Sequence, residues 1–203
     1  MKESINIFWF RRDLRLNDNT GLYKALNSKH PVLPIFIFDK EILESLPKDD
    51  ARVTFIHEIL SDINDSLKEK VGSSIAFFND KPIESFRQLV NNYFIKTVFT
   101  NRDYEPYAIK RDKNVRDFLK TKGIDFKSYK DQVIFETNEI VKDDGTPYKV
   151  YTPYSKKWLD ALNNNPLINY NSEEFLSNLI SDKSLLFLTL NEIGFEKSKQ
   201  TIM

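Results

Sequence analysis

Hydrophobic positions along this chain fall into two rhythms. Short apolar runs at 5–10 (INIFWF), 32–38 (VLPIFIF), 74–79 (SIAFFN), 96–100 (KTVFT) and, more weakly, 124–129 (IDFKSY) predict five strands. Runs that are apolar almost throughout, rather than alternating, suit strands covered on both faces, as in a parallel sheet. Between them, apolar residues recur at helical spacing. Asn17, Asp18 and Asn19 offer caps for a helix through Leu22 and Leu26. After Asp49 and Asp50, a longer helix carries Val53, Ile56, Leu60, Ile63 and Leu67 on one stripe. Pro82 suits the first turn of a helix that buries Ile83, Phe86, Leu89 and Val90. Pro106 does the same for a charged helix running to about Lys120, which Gly123 closes. The order βαβαβαβαβ predicts an α/β fold: a five-stranded parallel, doubly wound, Rossmann-like sheet with helices on both faces and right-handed crossovers.

From about Asp131 the rhythm dissolves. Short extended pieces surround an Asp-Gly turn, and a helix is expected from about Pro153. Residues 166–203 show no consistent period yet carry Leu185, Leu186, Phe187 and Leu188. They read as a connection leading away from the domain, with that apolar run on a surface meant for another body. The expected organisation is an α/β core over 1–131, the end of that domain with its exit helix over 132–165, and a connector over 166–203.

Composition narrows the chemistry mainly by exclusion. Thirty basic and thirty acidic residues give a net charge of zero, which argues against a general nucleic-acid or membrane-surface binder. No apolar stretch is long enough to span a membrane and the N-terminus lacks a signal-peptide pattern, so the cytoplasm is the expected compartment. With no cysteine and only two distant histidines, His30 and His57, a structural zinc site is not expected. Five glycines, none in a G-x-G arrangement, exclude a dinucleotide fingerprint and a P-loop.

In an open parallel sheet, ligands bind beyond the carboxyl ends of the strands where the strand order reverses. With the usual order, strands one and four flank that crevice. Strand one ends in Phe10-Arg11-Arg12-Asp13 and strand four in Thr100-Asn101-Arg102-Asp103, followed by Tyr104-Glu105-Pro106-Tyr107. Guanidinium groups clamp anions or stack on rings, and carboxylates accept hydrogen bonds from ring N–H groups. Such a crevice suits a flat, polar-edged heterocycle better than a pyrophosphate. Arg11, Asp13 and Arg15 read equally well as a structural ion pair or helix cap. The charges of 110–116 read as an exposed helix face, and His57 as a packed or surface residue. Asp39 in a receiver-type phosphoacceptor site would need an acidic pair where Arg11-Arg12 stand.

At these same residues a family resemblance emerges. FWFRRDLRLNDNTGL resembles the N-terminal signature of the photolyase/cryptochrome family, and the similarity continues through PVLPIFIFD, DDARVTFIHEIL, GSSIAFF, TNRDYEPYAIKRD, KDQVIF and GTPYKVYTPYSKKW. It covers residues 5 to about 160 in the family's order. The combination of RRDLR, DYEPY and YTPY is more similar to microbial cyclobutane-dimer photolyases than to cryptochromes. The resemblance implies a flavoprotein lyase that splits pyrimidine dimers in UV-damaged DNA by light-driven electron transfer from reduced FAD. It also implies that an N-terminal α/β domain holds an antenna chromophore. The FAD, most of the DNA surface and the relay tryptophans belong to a C-terminal helical domain, the expected partner of this part. By that reading these residues alone carry no repair activity, and a cryptochrome-type blue-light signalling protein is the alternative.

The resemblance also implies an antenna site. By motif position, Arg12, Asp103 and Glu105 correspond to residues that hold an 8-hydroxy-5-deazaflavin antenna, with Phe10 and Phe38 as walls and Lys48 reaching in from its loop. Family members that bind methenyltetrahydrofolate carry an Asn-Glu pair where this chain has Tyr107-Ala108. That departure disfavours the folate and favours deazaflavin or another flavin-like antenna.

Overall fold

A computed structural model describes residues 3–200. Five strands, β1 (Ser4–Phe10), β2 (Val32–Asp39), β3 (Ala76–Asp80), β4 (Phe94–Asn101) and β5 (Asp125–Tyr129), form one sheet in the order β3-β2-β1-β4-β5. Every pairing is parallel, as the apolar runs predict. Order reverses between β1 and β4, so the crevice opens where the sequence places it.

Alternate strand residues feed two cores. Phe8, Phe10, Phe36 and Phe38 face α1 (Thr20–Leu26) and α3 (Ala51–Val71). Ile7, Trp9, Ile35 and Ile37 face α4 (Pro82–Asn92) and α5 (Pro106–Thr121). The caps follow local chemistry. Asn19 accepts from Leu22 N at the start of α1, Asp50 accepts from Arg52 N at the start of α3, and Pro82 and Pro106 open α4 and α5. Gly21 sits where α1 touches β4: a Cβ there would lie 2.6 Å from Asn101 Oδ1 and 3.1 Å from the Thr100 carbonyl carbon. A one-turn helix, α2 (Lys40–Leu43), capped by Asp39, is an element that periodicity does not reveal.

Beyond β5 the structure differs from the expectation in two ways. Residues 131–150 form turns rather than strands, leading into α6 (Tyr151–Asn164), which has no buried residue. Residues 172–200 do not lead away; they return over the α1/α3 face. A 3-10 turn over Ser172–Asn178 buries Leu176, Ile180 N donates to Val32 O, and Leu179, Ile193 and Phe195 join the core. In the run at 185–188, Leu185, Phe187 and Leu188 pack against the two cores, and only Leu186 is fully exposed. Aperiodic chain that packs by single anchors has no helical or strand rhythm to detect.

Candidate functional site

The turn after β1 and the turn after β4 meet through charge, with different roles for neighbouring residues. Arg11 points inward. Its Nη1 donates to both Asp112 oxygens at 2.6 Å, and its Nη2 donates to the Asn101 carbonyl. Arg111 reaches the same carboxylate at 3.0 Å, and the two guanidiniums lie 5.2 and 5.0 Å from the Trp9 ring. Burial holds the Arg11 pKa below its ordinary value, opposed by Asp112. Asp13 accepts from Arg11 N and Asn101 Nδ2, and Arg15 pairs with Asp131 at 2.7 Å. Arg11, Asp13 and Arg15 therefore tie the turn together. Arg111 and Asp112 depart from the exposed-face reading of 110–116: both are buried, because the face of α5 that carries them lies over Trp9.

Arg12 turns outward. It stands 3.5 Å from Asp103 and 3.8 Å from Glu105, so the three charged residues matched by motif converge. They line a cleft of about 410 Å³ together with Tyr104, Gln132, Val133, Phe135, Glu136, Thr137, Ile140 and Tyr154. A narrower recess of about 100 Å³, running back between the β1 and β4 turns, shares Arg12, Asp103 and Gln132. Asp103 is buried, backed by Arg111 at 3.9 Å, and accepts from Glu105 N. Ile140 is buried, while Phe135 and Tyr154 are half-buried or more open, and they give the cleft an apolar, aromatic wall.

The other three residues matched by the resemblance lie elsewhere. Phe10 and Phe38 do not wall this cleft: both are fully buried on the α1/α3 face, because alternation along β1 and β2 turns them there. Lys48 does not reach it; its ammonium lies 5.4 Å from the Phe195 ring and its carbonyl accepts from Glu196 N, so it anchors the returning tail. His57 anchors the same tail, its Nε2 2.9 Å from Leu188 O and its ring 4.6 Å from Phe187.

The residue that sequence reasoning missed is Glu136. Its Oε1 accepts from Arg102 at 2.5 Å and from the Tyr104 hydroxyl at 3.0 Å. That contact, with desolvation as the larger cause, pushes the Tyr104 pKa up to about 12. Only the neighbouring Tyr104 belonged to a motif; Glu136 sits in aperiodic chain. On the far side of the β4–α5 turn, the Tyr107 hydroxyl donates to buried Asp39 at 2.6 Å. Burial raises the pKa of each, and for Tyr107 the Asp39 contact adds to it. Among the described residues, no cluster of His, Cys, Asp and Glu could hold a metal ion. No helix among them is long and apolar enough to cross a membrane.

Residues 6–171 match the family described as DNA photolyase. The chain is 34% identical over 152 residues to a deoxyribodipyrimidine photo-lyase of Synechococcus, covering 75% of this chain and 31% of that protein. Against the corresponding protein of Halobacterium salinarum it is 28% identical over 207 residues, 98% of this chain and 42% of the other. The crystal structure of a class III photolyase from Agrobacterium tumefaciens superposes with a TM-score of 0.70 at 28% identity, over 98% of this chain and 38% of that one. An archaeal photolyase from Sulfolobus tokodaii, solved with two FAD molecules, gives 0.65 at 26% identity, over 91% of this chain and 43% of that one. The chain thus spans about a third to two fifths of the length of these proteins. The match runs through β1, its RRDLR turn, the sheet and the DYEPY turn into the cleft-lining segment, and on that continuity the chain belongs to the DNA photolyase family.

Proposed function

We propose that this chain is the light-harvesting α/β part of a deoxyribodipyrimidine photo-lyase, holding an antenna chromophore in the cleft beyond β4. One observation carries the reading: Arg12, Asp103, Glu105 and Glu136 converge on a cleft of about 410 Å³ with an aromatic wall, at the carboxyl end of the sheet. That volume lies within the range of small-molecule sites, about 300–1,000 Å³. Its chemistry fits a flat heterocycle, which would stack on Phe135 and Tyr154 while carboxylates accept its N–H edge. The archaeal relative, whose two FAD molecules imply a novel light-harvesting cofactor in that protein, supports a flavin-like antenna. Folate of the methenyl type is disfavoured, since Tyr107 is committed to Asp39 and Ala108 is buried.

In this reading, dimer splitting in UV-damaged DNA by light-driven electron transfer belongs to the FAD-bearing helical part of the whole protein. When bound, the antenna supplies light absorption and energy transfer; Arg12 and the carboxylates orient it. Photo-lyases of Synechococcus and Agrobacterium fabrum match at 34% and 32% identity, against 28% over 145 residues for cryptochrome-1 of Drosophila, which supports repair over signalling.

The test is a fluorescence and absorbance titration with 8-hydroxy-5-deazaflavin, riboflavin, FMN and methenyltetrahydrofolate, repeated on an Asp103→Ala, Glu105→Ala variant. Saturable binding of a deazaflavin or flavin ring, lost in the variant, is expected. Binding that survives the double substitution, or binding of the folate alone, overturns the assignment.

A further inference from the structure

The antenna reading leaves open which class of ring the cleft accepts, and the charges around it bear on that choice. Three carboxylates line it, Asp103, Glu105 and Glu136, against one guanidinium, Arg12. Their hydrogen bonds are unevenly spent. Glu136 uses Oε1 for both Arg102 and Tyr104, and Oε2 makes no hydrogen bond among the described residues. Glu105 meets Arg12 through Oε1 at a loose 3.8 Å, and its Oε2 is likewise unspent. The compensating cations stand behind rather than within: Arg102 backs Glu136, and Arg111 backs Asp103. Lys130 pairs outside the cleft with Glu139 at 2.8 Å. The cleft lining therefore presents unsatisfied acceptors and more carboxylates than guanidiniums. A phosphate group needs the opposite, converging donors and positive charge.

From this, and resting on the antenna reading above, we infer that the cleft selects an uncharged ring with an N–H donor edge and rejects phosphorylated forms of the same ring, with Glu136 as a specificity-determining residue. Its position is fixed from two sides, by Arg102 from the end of β4 and by the Tyr104 hydroxyl, so its free oxygen is a preorganised acceptor rather than a mobile surface carboxylate. Arg12, the one cation on the lining, is flanked by Asp103 and Glu105, whose charges weaken its pull on a phosphate.

Riboflavin, FMN and FAD share one isoalloxazine ring and differ in phosphate charge, so their binding to the chain at low ionic strength isolates the effect. The carboxylates stand nearer a bound phosphate dianion than Arg102 and Arg111 behind them, and the residual repulsion weakens FMN relative to riboflavin by about threefold. Glu136→Gln removes one charge and keeps an acceptor, and it closes the gap between FMN and riboflavin whatever it does to the affinity of the ring itself. Glu105→Gln, at a largely exposed position, narrows it similarly, so the result does not hang on one variant's folding. FMN or FAD binding as tightly as riboflavin, or a gap unmoved by both substitutions, overturns this selectivity and leaves the antenna assignment standing. Failure of every ring to bind overturns both.

Discussion

Replacing Asp112 by alanine is the most direct probe of how the β1 turn is held. Asp112 accepts from Arg11 at 2.6 Å through both oxygens and from Arg111 at 3.0 and 3.1 Å. All three side chains are at most 10% exposed. Its removal strands two guanidiniums beneath α5, with the Asn101 carbonyl left to one and Asp103, at 3.9 Å, to the other. Breaking a buried pair by deleting one partner costs about 3–5 kcal/mol, because the remaining charge is left desolvated. For a domain of this size that lowers Tm by roughly 10 °C. Urea unfolding followed by far-ultraviolet circular dichroism measures it. An Arg11→Met, Asp112→Leu double variant strands one cation instead of two, though the Asn101 carbonyl loses its Arg11 donor and keeps only the Thr100 hydroxyl at 3.4 Å, at a cost of about 1 kcal/mol. It is therefore expected to be more stable than Asp112→Ala alone. A cost below about 1 kcal/mol for Asp112→Ala, or a double variant no more stable than the single, would refute the view that this cluster is a desolvated, mutually dependent unit.

Phe195→Ala tests whether the returning tail belongs to the core: Phe195 is 3% exposed and packs in the α1/α3 cluster, so a loss of about 3–5 kcal/mol is expected in equilibrium unfolding. A loss within about 0.5 kcal/mol would mark the tail as a separable strap. Asp39→Asn tests the buried carboxyl beside Tyr107. Burial raises its folded pKa, so the folded state holds the proton more tightly, and Asp39 favours folding most below its unfolded pKa of about 3.9. That contribution is lost as pH rises through the raised value. Unfolding free energy measured from pH 4 to pH 7 should therefore fall more steeply with pH in the parent chain than in Asp39→Asn. Parallel profiles would contradict it.

Order and parallelism of the sheet were legible in the sequence because burial on both faces leaves an apolar run, and short crossovers leave caps and prolines at fixed places. The convergence of Arg12 with Asp103 and Glu105 was legible too, since parallel topology alone brings the ends of β1 and β4 together. What a side chain does at such an end was not. Arg11 and Arg12 are chemically identical neighbours; one is buried on Asp112 and the other opens into the cleft because of where α5 lies over the sheet. Phe10 and Phe38 were matched to the site by position in a motif, yet strand alternation sends them into the core on one face. Glu136, Phe135 and Tyr154, which complete the cleft, come from chain with no period, or from a helix with no buried face, and are placed by contacts distant in sequence. The sequence determined which backbone ends meet, because hydrophobic burial and chain connectivity dictate that. Only tertiary packing decided which charges face inward, which remain free for a ligand, and that residues 172–200 close over the sheet.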